Sequence, residues 1–357
     1  MTNKAKKITF IAVASVLIFV AVLAMIILIP RQGKKMYNVW GAGDEFDVNG
    51  VTKLEKKQGE DFKILLFTDI QLWTAIGDNK RTLKMMDELV EKVKPDLIIL
   101  PGDNVSGVST DILTLQLVKK MESYGIPWAP VFGNHDSEGN ATLEWQADKF
   151  DAADNCIFDR GPSNLYGVGN YFVNIVEGYN IAYSLALLDN GRYYRYDEST
   201  IDEVYMGYEQ IVWYEWNMRG IAKAYGKERV PSMTFSHCAP PEFNEAMEKY
   251  GQEGADGIYY VPEEYGFGYC QYLPSVAPKN SGFIDKAKAL GLTHVFVGHD
   301  HENNASIKYE DVIYTYGLKT GPSPKPWNAA KEYGGTVISI GDNGAVSIAN
   351  EVIETVK

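Results

Sequence analysis

Several apolar stretches of this chain end in side chains that can bind a metal ion. Each stretch has the composition of a buried strand, and a carboxylate, an amide or an imidazole follows it within a few residues. In α/β proteins, catalytic residues lie at the carboxyl ends of strands. The side chains in these positions are Asp69, Gln71, Asp103, Asn104, Asn134, His135, Asp136, His237, His299 and His301. The sequence therefore predicts that several strand ends meet around metal.

The histidines of the chain are concentrated in this pattern. Four of the five histidines follow apolar strand-like stretches, as Asp69, Asp103 and Asn134 also do. A single histidine in such a position more often has a structural role, but the whole set is better explained by metal ligation. The fifth, His294, begins a strand-like stretch, and we expect it to be structural.

Five motifs occur in an order that resembles the calcineurin-like metallophosphoesterase superfamily. The motifs are Asp69-x-Gln71, Gly102-Asp103-Asn104, Gly133-Asn134-His135-Asp136, Ser236-His237 and Gly298-His299-Asp300-His301. The resemblance extends over roughly residues 62–317. Any one motif alone would be a weak signal, but five motifs in the right order are specific. The segments at 161–171 and 236–242 are similar to the purple-acid-phosphatase-like branch of the superfamily.

The resemblance implies a dinuclear metal centre with a bridging carboxylate. The implied ligands are Asp103 as the bridge, then Asp69, Gln71 and His301 at one site, and Asn134, His237 and His299 at the other. Mixed nitrogen and oxygen donors suit Mn, Fe or Zn better than Ca. We therefore expect two divalent metal ions of this kind as cofactors.

The reaction implied by this centre is phosphoester hydrolysis. Two ions about 3.5–4 Å apart supply an activated water, a clamp for the phosphoryl oxygens and help for the leaving group. Water would then attack directly, with no covalent phosphoenzyme. The leading substrate class is a phosphomonoester, including phosphoproteins, and a phosphodiester, a nucleotide or a lipid head group is the alternative. An inactive binding or scaffold module on the same fold is an alternative of a different class.

His135 lies outside the implied ligand set and is expected to face the substrate. It would either bind the phosphoryl oxygens or protonate the leaving oxygen. Asp136 is expected to orient His135, or to cap the helix that we predict after Asn140. Asn104 could contact substrate, although a turn position is favoured. A phosphate contact is a weaker hypothesis for Lys319.

Gln71 departs from the family pattern, which has histidine at this position. Its side-chain carbonyl is a neutral and weaker ligand, so the first site is expected to bind metal less tightly or to prefer Mn or Fe(II). Alternatively, water replaces Gln71 in the coordination shell. Ser106 lies three residues after Asp103, where a tyrosine gives purple acid phosphatases their colour. A purple Fe(III)–tyrosinate site is therefore not expected.

The elements that must position these residues can be read from the hydrophobic pattern. Apolar residues at helical spacing predict helices over 80–94, 109–124 and 205–224. The first two alternate with apolar strands, which predicts parallel central strands with right-handed crossovers. We expect an α/β sandwich of two mixed sheets flanked by helices. Residues 251–277, rich in glycine and tyrosine, are expected to form a long surface loop that either roofs the site or packs elsewhere.

The amino-terminal part of the chain has a different composition. Residues 8–29 contain no charged side chain and are numerous enough to span a bilayer. We predict a basic flank and transmembrane anchor in residues 1–35, a stalk in 36–61 and the catalytic domain in 62–357. A cleaved signal peptide is the alternative for the first segment. The anchor would place the domain outside the cytoplasm.

Net charge limits the range of partners. The formal net charge of the chain is −13, and its first 35 residues contain only basic charged side chains. The domain itself is therefore strongly acidic. Since nucleic-acid binding needs a positive surface, no nucleic-acid partner is expected. A small phosphate ester can still bind where metal ions reverse the local field.

Overall fold

The computed structural model describes residues 3–35, 38–73, 76–190, 205–322 and 332–355. Within them, the α-helices are α1 (Asn3–Leu28), α2 (Ile76–Val93), α3 (Thr110–Glu122), α4 (Leu143–Asp151), α5 (Tyr208–Ala224), α6 (Pro241–Tyr250) and α7 (Phe283–Leu290). Short 3₁₀ helices lie at Val48–Gly50 and Asp342–Gly344. The three predicted helices correspond to α2, α3 and α5.

The strands of the described residues form three sheets. They are β1 (Thr52–Glu55), β2 (Phe62–Leu66), β3 (Leu97–Pro101), β4 (Trp128–Val131), β5 (Tyr171–Glu177), β6 (Asn180–Leu187), β7 (Ser232–Phe235), β8 (Gln252–Glu253), β9 (Tyr259–Tyr260), β10 (Gly266–Phe267), β11 (Tyr269–Cys270), β12 (Leu292–Val297), β13 (Ser306–Tyr309), β14 (Val312–Tyr316), β15 (Glu332–Ile340) and β16 (Val346–Thr355). The strand orders are β1-β5-β6-β7-β12-β14-β13-β10, β16-β15-β2-β3-β4 and β11-β9-β8.

The two large sheets pack face to face and form a sandwich. Ile64 and Ile99 of the five-stranded sheet share one buried core with Val173 and Leu185 of the eight-stranded sheet. Helices α2, α3 and α4 cover the outer face of the five-stranded sheet, and α5, α6 and α7 cover the other outer face. This arrangement confirms the predicted α/β sandwich of two mixed sheets with helices outside.

The central strands of the five-stranded sheet are parallel, as the sequence pattern predicted. β2 pairs with β3 and β3 pairs with β4, both in parallel register. Every residue of β3 is buried because helices cover one face of the sheet and the second sheet covers the other. In the eight-stranded sheet, β6, β7, β12 and β14 are also parallel neighbours. Both sheets therefore direct several strand ends toward one edge of the sandwich.

The amino-terminal helix α1 lies where the membrane anchor was predicted. A helix needs about 20 consecutive apolar residues to cross a bilayer. Among the residues that the structure describes, no helix is both long enough and apolar enough to do so. The predicted transmembrane span over 8–29 is therefore not supported.

Part of the predicted stalk belongs to the domain. Strand β1 pairs in parallel with β5 at the edge of the eight-stranded sheet. Leu54 is the one apolar side chain of β1, and an edge strand with one exposed face gives a weak sequence signal. The predicted loop 251–277 also differs from expectation, because it contains β8 to β11, each only two residues long.

Candidate metal centre

The predicted ligands meet at the edge where the parallel strands end. Asp69, Asp103 and Asn134 follow β2, β3 and β4 of the five-stranded sheet. His237 and His299 follow β7 and β12 of the eight-stranded sheet. Because the two sheets are packed together, ligands from both reach the same place. The site is thus built across the sandwich and not within one sheet.

Four of these residues have a left-handed backbone. The φ angles are +50° at Asp69, +42° at Gln71, +52° at Asp103 and +77° at His299. Side chains other than glycine rarely adopt this region. Such conformations cost about 1–3 kcal/mol each and cluster at functional sites. The loops after β2, β3 and β12 therefore adopt strained backbone conformations that place these side chains in the site.

One set of donors surrounds the imidazole of His237, and we call Asp103, Asn134, His237 and His299 the His237 group. His237 Nε2 lies 3.0 Å from Asn134 Oδ1, 3.2 Å from His299 Nδ1 and 3.3 Å from Asp103 Oδ1. His237 Nδ1 is 3.1 Å from the carbonyl oxygen of Pro101, which fixes the ring with Nε2 toward the other donors.

A second set of donors lies on the other side of Asp103, and we call Asp69, Gln71, Asp103 and His301 the His301 group. Asp69, Asp103 and His301 each offer an atom within 4.8 Å of the others. His301 Nε2 is 3.5 Å from Asp69 Oδ1, and Gln71 Nε2 donates to Asp103 Oδ2 at 2.9 Å. Asp103 therefore belongs to both groups, with one oxygen facing each.

Two glycines allow the ligand loops to approach this closely. A Cβ atom at Gly133 would lie 2.3 Å from the Asp103 carboxylate, and one at Gly102 would lie 2.4 Å from the His237 ring. Gly102 also has a φ of +96°. Any larger residue would push apart the two ligands that its loop brings together. The glycines of these motifs are thus required by the packing of the site.

The donor set fits two divalent metal ions. Ligands about 2.1 Å from one ion in a tetrahedron lie about 3.4 Å from each other. The donor separations of 3.0–3.3 Å around His237 Nε2 are close to this value. Carboxylate, amide and imidazole donors suit Mn, Fe or Zn. A shared carboxylate is the group that holds two ions at a short separation.

The electrostatics of the site keep its carboxylates ionised. Burial alone would raise the pKa of Asp103, but the nearby His237 outweighs burial and lowers that pKa well below its usual range. Burial also opposes ionisation of Asp69, and His301 outweighs it, so the pKa of Asp69 is lowered as well. Conversely, Asp103 overcomes the effect of burial on His237 and raises its pKa. The pair of carboxylates is therefore anionic at neutral pH and attracts cations.

The partner of His135 differs from the one expected. His135 Nδ1 lies 2.6 Å from Oε1 of Glu138, and its Nε2 lies 3.8 Å from Asp103 Oδ2. The expected pairing of Asp136 with the His135 ring is thus corrected to Glu138. Nor does Asp136 cap the following helix, since the side chain that caps α4 is Thr142.

Asp136 instead binds the backbone of the two ligand loops. Its carboxylate accepts the N–H groups of Gly133 at 2.7 Å and of Asn104 and Val105 at 3.0 Å each. Burial and the neighbouring Asp103 charge raise the pKa of Asp136 to about 8, while these N–H donors act in the opposite direction. The Asn104 amide is also buried and donates to the Val131 carbonyl at 2.8 Å. Both side chains therefore support the loops from behind the site.

Two further residues have surroundings that indicate structural roles. His294 is buried against Phe296, and burial lowers its pKa to about 4. Lys319 is fully buried, and its Nζ donates to the backbone carbonyl of Asp69 at 2.7 Å. Lys319 thus lies behind a ligand, and the hypothesis that it contacts phosphate is not supported by this position.

Sequence reasoning missed Glu138 and Asn190. The side chain of Asn190 accepts the N–H groups of His237 and Cys238 at 2.9 and 3.0 Å, which holds the loop after β7. Nothing in its sequence position signals this contact across 47 residues. Glu138, in contrast, is three residues from His135 and within reach of it in a turn. That spacing was the available signal.

The chain is similar in sequence to known phosphoesterases. The family model for calcineurin-like phosphoesterases matches residues 62–303. A protein of Arabidopsis thaliana named probable inactive purple acid phosphatase 14 is 27% identical over 267 residues, which are 67% of this chain and 62% of that protein. Phosphatase DCR2 of Saccharomyces cerevisiae is 26% identical over 292 residues, 72% of this chain and 47% of that protein.

The chain thus spans roughly half to three fifths of the length of these two relatives. Among solved structures, purple acid phosphatase PPD1 from yellow lupin (Lupinus luteus) seeds aligns with a TM-score of 0.46 and 14% identity. That alignment covers 79% of this chain and 50% of the lupin protein.

Proposed function

The chain belongs to the calcineurin-like phosphoesterase family, in its purple-acid-phosphatase-like branch, and we propose that it is a metal-dependent hydrolase of phosphomonoesters. The observation that carries the proposal is the position of Asp103, which belongs to both the His237 group and the His301 group. One carboxylate between two sets of nitrogen and oxygen donors is the arrangement that a dinuclear centre requires.

The two donor groups would hold two divalent ions, of Mn, Fe or Zn. Ions at this site would activate a water molecule and neutralise charge on the phosphoryl oxygens. The residues of the chain do the rest. His237 is fixed by Pro101 and Asn190, and Asp103 is fixed by the His135 N–H at 2.8 Å. Pre-positioned ligands of this kind need no rearrangement as the reaction proceeds.

His135 is the group that would meet the substrate. Its ring is partly exposed, with 37% of the side chain accessible, whereas His237 is fully buried. Its Nε2 faces the shared carboxylate and therefore the place where a phosphoryl group would bind. From there it can bind a phosphoryl oxygen or give a proton to the leaving oxygen.

The similar proteins favour the same class of reaction without settling it. One curated relative is named a phosphatase, and another is named a probable inactive purple acid phosphatase. The inactive scaffold is therefore the second candidate, and Gln71 in the His301 group is the residue that favours it. Retention of His135 and of the other donors favours the enzyme, because a scaffold has no need of them.

Hydrolysis assays on the purified full-length chain would test the proposal. We expect an aryl phosphate monoester to be hydrolysed, with the activity lost on chelation and restored by Mn, Fe or Zn. An aryl phosphate diester measured in parallel reports the substrate class, and a higher rate on the diester would favour the phosphodiesterase alternative. A folded, metal-loaded protein that hydrolyses neither ester would favour the scaffold.

The location of the domain outside the cytoplasm stays a prediction. It was based on the apolar segment at 8–29, for which the structure gives no membrane-spanning support. Protease treatment of intact cells would test it, since an external domain is digested and an internal one is protected.

A further inference from the structure

We propose that Glu138 is the positioning residue of His135 and holds its imidazole with Nε2 toward Asp103, the carboxylate that the two donor groups share. The inference rests on the proposed function, because it concerns the group that would meet the substrate in that reaction. The His135 ring lies between two carboxylates: Nδ1 is 2.6 Å from Glu138 Oε1, and Nε2 is 3.8 Å from Asp103 Oδ2. The first carboxylate lies outside both donor groups, and the second is shared by them.

The backbone brings Glu138 to the ring. The N–H of Glu138 donates to the carbonyl of His135 at 3.1 Å, which closes a turn over residues 135–138. The middle of this turn is fixed, because the Asp136 carboxylate accepts the N–H groups of Gly133 and Val105. The Asp136 carbonyl also accepts Nε2 of Gln146 at 2.6 Å. The two ends of a rigid turn therefore present His135 and Glu138 to each other.

The ring needs such a partner because packing does not fix it. The side chains of His135 and Glu138 are 37% and 43% exposed. An exposed imidazole can rotate about its outer side-chain bond, so either nitrogen could face the cluster. A carboxylate at Nδ1 selects one orientation of the ring, with Nδ1 donating to Glu138 and Nε2 turned toward Asp103. Exposed ion pairs contribute little to stability, so orientation is the main effect that this contact can have.

The same nitrogen must face the substrate in both roles expected of His135. Binding a phosphoryl oxygen requires Nε2 as a donor, and so does protonation of a leaving oxygen. The ring acts in either role as the imidazolium, in which Nδ1–H donates to Glu138 and Nε2–H faces the substrate. Glu138 thus acts on the reaction only through His135. This dependence separates a positioning residue from a residue that merely stabilises the loop.

A double-mutant cycle on the active, metal-loaded enzyme tests this dependence. We expect Glu138→Ala to lower kcat about 10- to 100-fold, the range typical of residues that orient a site group, with a smaller change in KM. In a His135→Ala background, Glu138→Ala should have no further effect. Glu138→Gln keeps an acceptor at the same place and should restore part of kcat. Glu144→Gln, a matched change in the first turn of α4, should leave kcat unchanged.

Nitrogen NMR of the histidine rings gives a readout that does not need activity. In the metal-free protein, we expect the His135 signals to show a protonated Nδ1 bonded to an acceptor, and Glu138→Ala to abolish that signature. The signals of the other four histidines should not move. Assignment follows from the signals that disappear in His135→Ala.

The outcomes separate this inference from the proposed function. A wild-type protein that hydrolyses no phosphate ester overturns the proposed function, whereas the NMR measurement still tests the contact. If the wild type is active, two results would overturn the positioning role of Glu138. One is a wild-type kcat in Glu138→Ala, and the other is an equal loss of kcat when Glu138→Ala is made in the wild type and in His135→Ala. Unchanged His135 ring signals in Glu138→Ala overturn it as well.

Discussion

The His237 group and the His301 group share Asp103 but differ in how firmly their other ligands are held. His237 is fully buried. Its Nδ1 bonds to the carbonyl oxygen of Pro101, and its backbone N–H donates to Oδ1 of Asn190, so that its ring and its backbone are both fixed. The side chain of His301 is 18% exposed. The His301 group also contains the neutral Gln71 where the family pattern has histidine. The first group is thus a rigid site with strong donors, and the second is a weaker site with partial access to solvent.

This difference predicts that the two groups bind metal with different affinities. Rigid ligands with fixed tautomers bind metal more tightly, because their outer contacts are already in place. We therefore expect the His237 group to be occupied first as metal is added. The His301 group should exchange its ion more readily, and its occupancy should limit activity at low metal concentration.

The largest expected effect comes from the residue that the two groups share. Asp103→Asn removes a charge from both groups, so we expect loss of both ions and a fall in kcat of on the order of 10³-fold or more, since metal stabilisation of the transition state is worth several kcal/mol. Metal analysis and hydrolysis of the aryl monoester would measure both. Asp311→Asn makes the same change at an exposed turn and should alter neither. Retention of both ions in Asp103→Asn would show that Asp103 is not the bridge.

Removal of one histidine from each group tests whether the groups differ as described. His237→Ala should lower metal affinity more than His301→Ala does. The loss at His237 should exceed the roughly 10- to 100-fold that removal of an outer-shell contact costs. Calorimetric titration of the metal-depleted variants would give the affinities. Equal losses in the two variants would break the comparison between a firm and a weak group.

A smaller effect is expected from strengthening the weak group. Gln71→His introduces the donor of the family pattern, so metal binding to the His301 group should be retained or become up to about tenfold tighter, because one tenfold step is only 1.4 kcal/mol. Gln71→Ala serves as the matched variant and should bind the second ion less tightly. A Gln71→His protein that cannot take up metal would contradict the placement of residue 71 beside Asp103.

The smallest expected effect on the site comes from His294, a buried histidine that belongs to neither group. Burial lowers the pKa of His294 from 6.5 to about 4 in the folded chain. The unfolded state therefore binds more protons between these two pH values. As a result, the free energy of unfolding is highest above pH 6.5 and decreases as the pH falls toward 4. His294→Gln should reduce the loss of stability over this window by about 3 kcal/mol, at 1.36 kcal/mol per pKa unit.

Denaturant unfolding at several pH values would measure this change. Metal content and hydrolysis of the variant at neutral pH should match the wild type. A drop in bound metal in His294→Gln would show that His294 contributes to metal binding, and would contradict its placement outside the two groups.

Much of the fold could be predicted because its signals are local. The helical spacing of apolar residues over 80–94 located α2, and the apolar strand expected after it is β3. Short elements gave no such signal. Helix α7 has only eight residues, between glycines 282 and 291 that both have positive φ. Strand β1 has one apolar side chain, and its place in the sheet depends on pairing with β5 far along the chain.

That the candidate ligands lie close together could be predicted, because most of them follow apolar strands that are visible in the sequence, and the family resemblance supplied their division into two groups. The contacts that surround the candidate ligands could not be predicted from the sequence. Asp136 is adjacent to His135 in sequence, yet its carboxylate is turned into the protein by three backbone N–H donors. Lys319 was a candidate phosphate contact, but it is buried and its Nζ donates to the backbone carbonyl of Asp69. Side-chain direction in loops depends on tertiary contacts, which a sequence pattern does not contain.

The measurement that tests the central claim most directly is a titration of the metal-depleted full-length chain with Mn, in which bound ions per chain and hydrolysis of an aryl phosphate monoester are followed together. We expect activity to rise with the second ion and to reach a plateau at two ions per chain. A folded protein that binds no more than one ion, or that binds two and hydrolyses neither monoester nor diester, would contradict a dinuclear phosphoesterase built around Asp103.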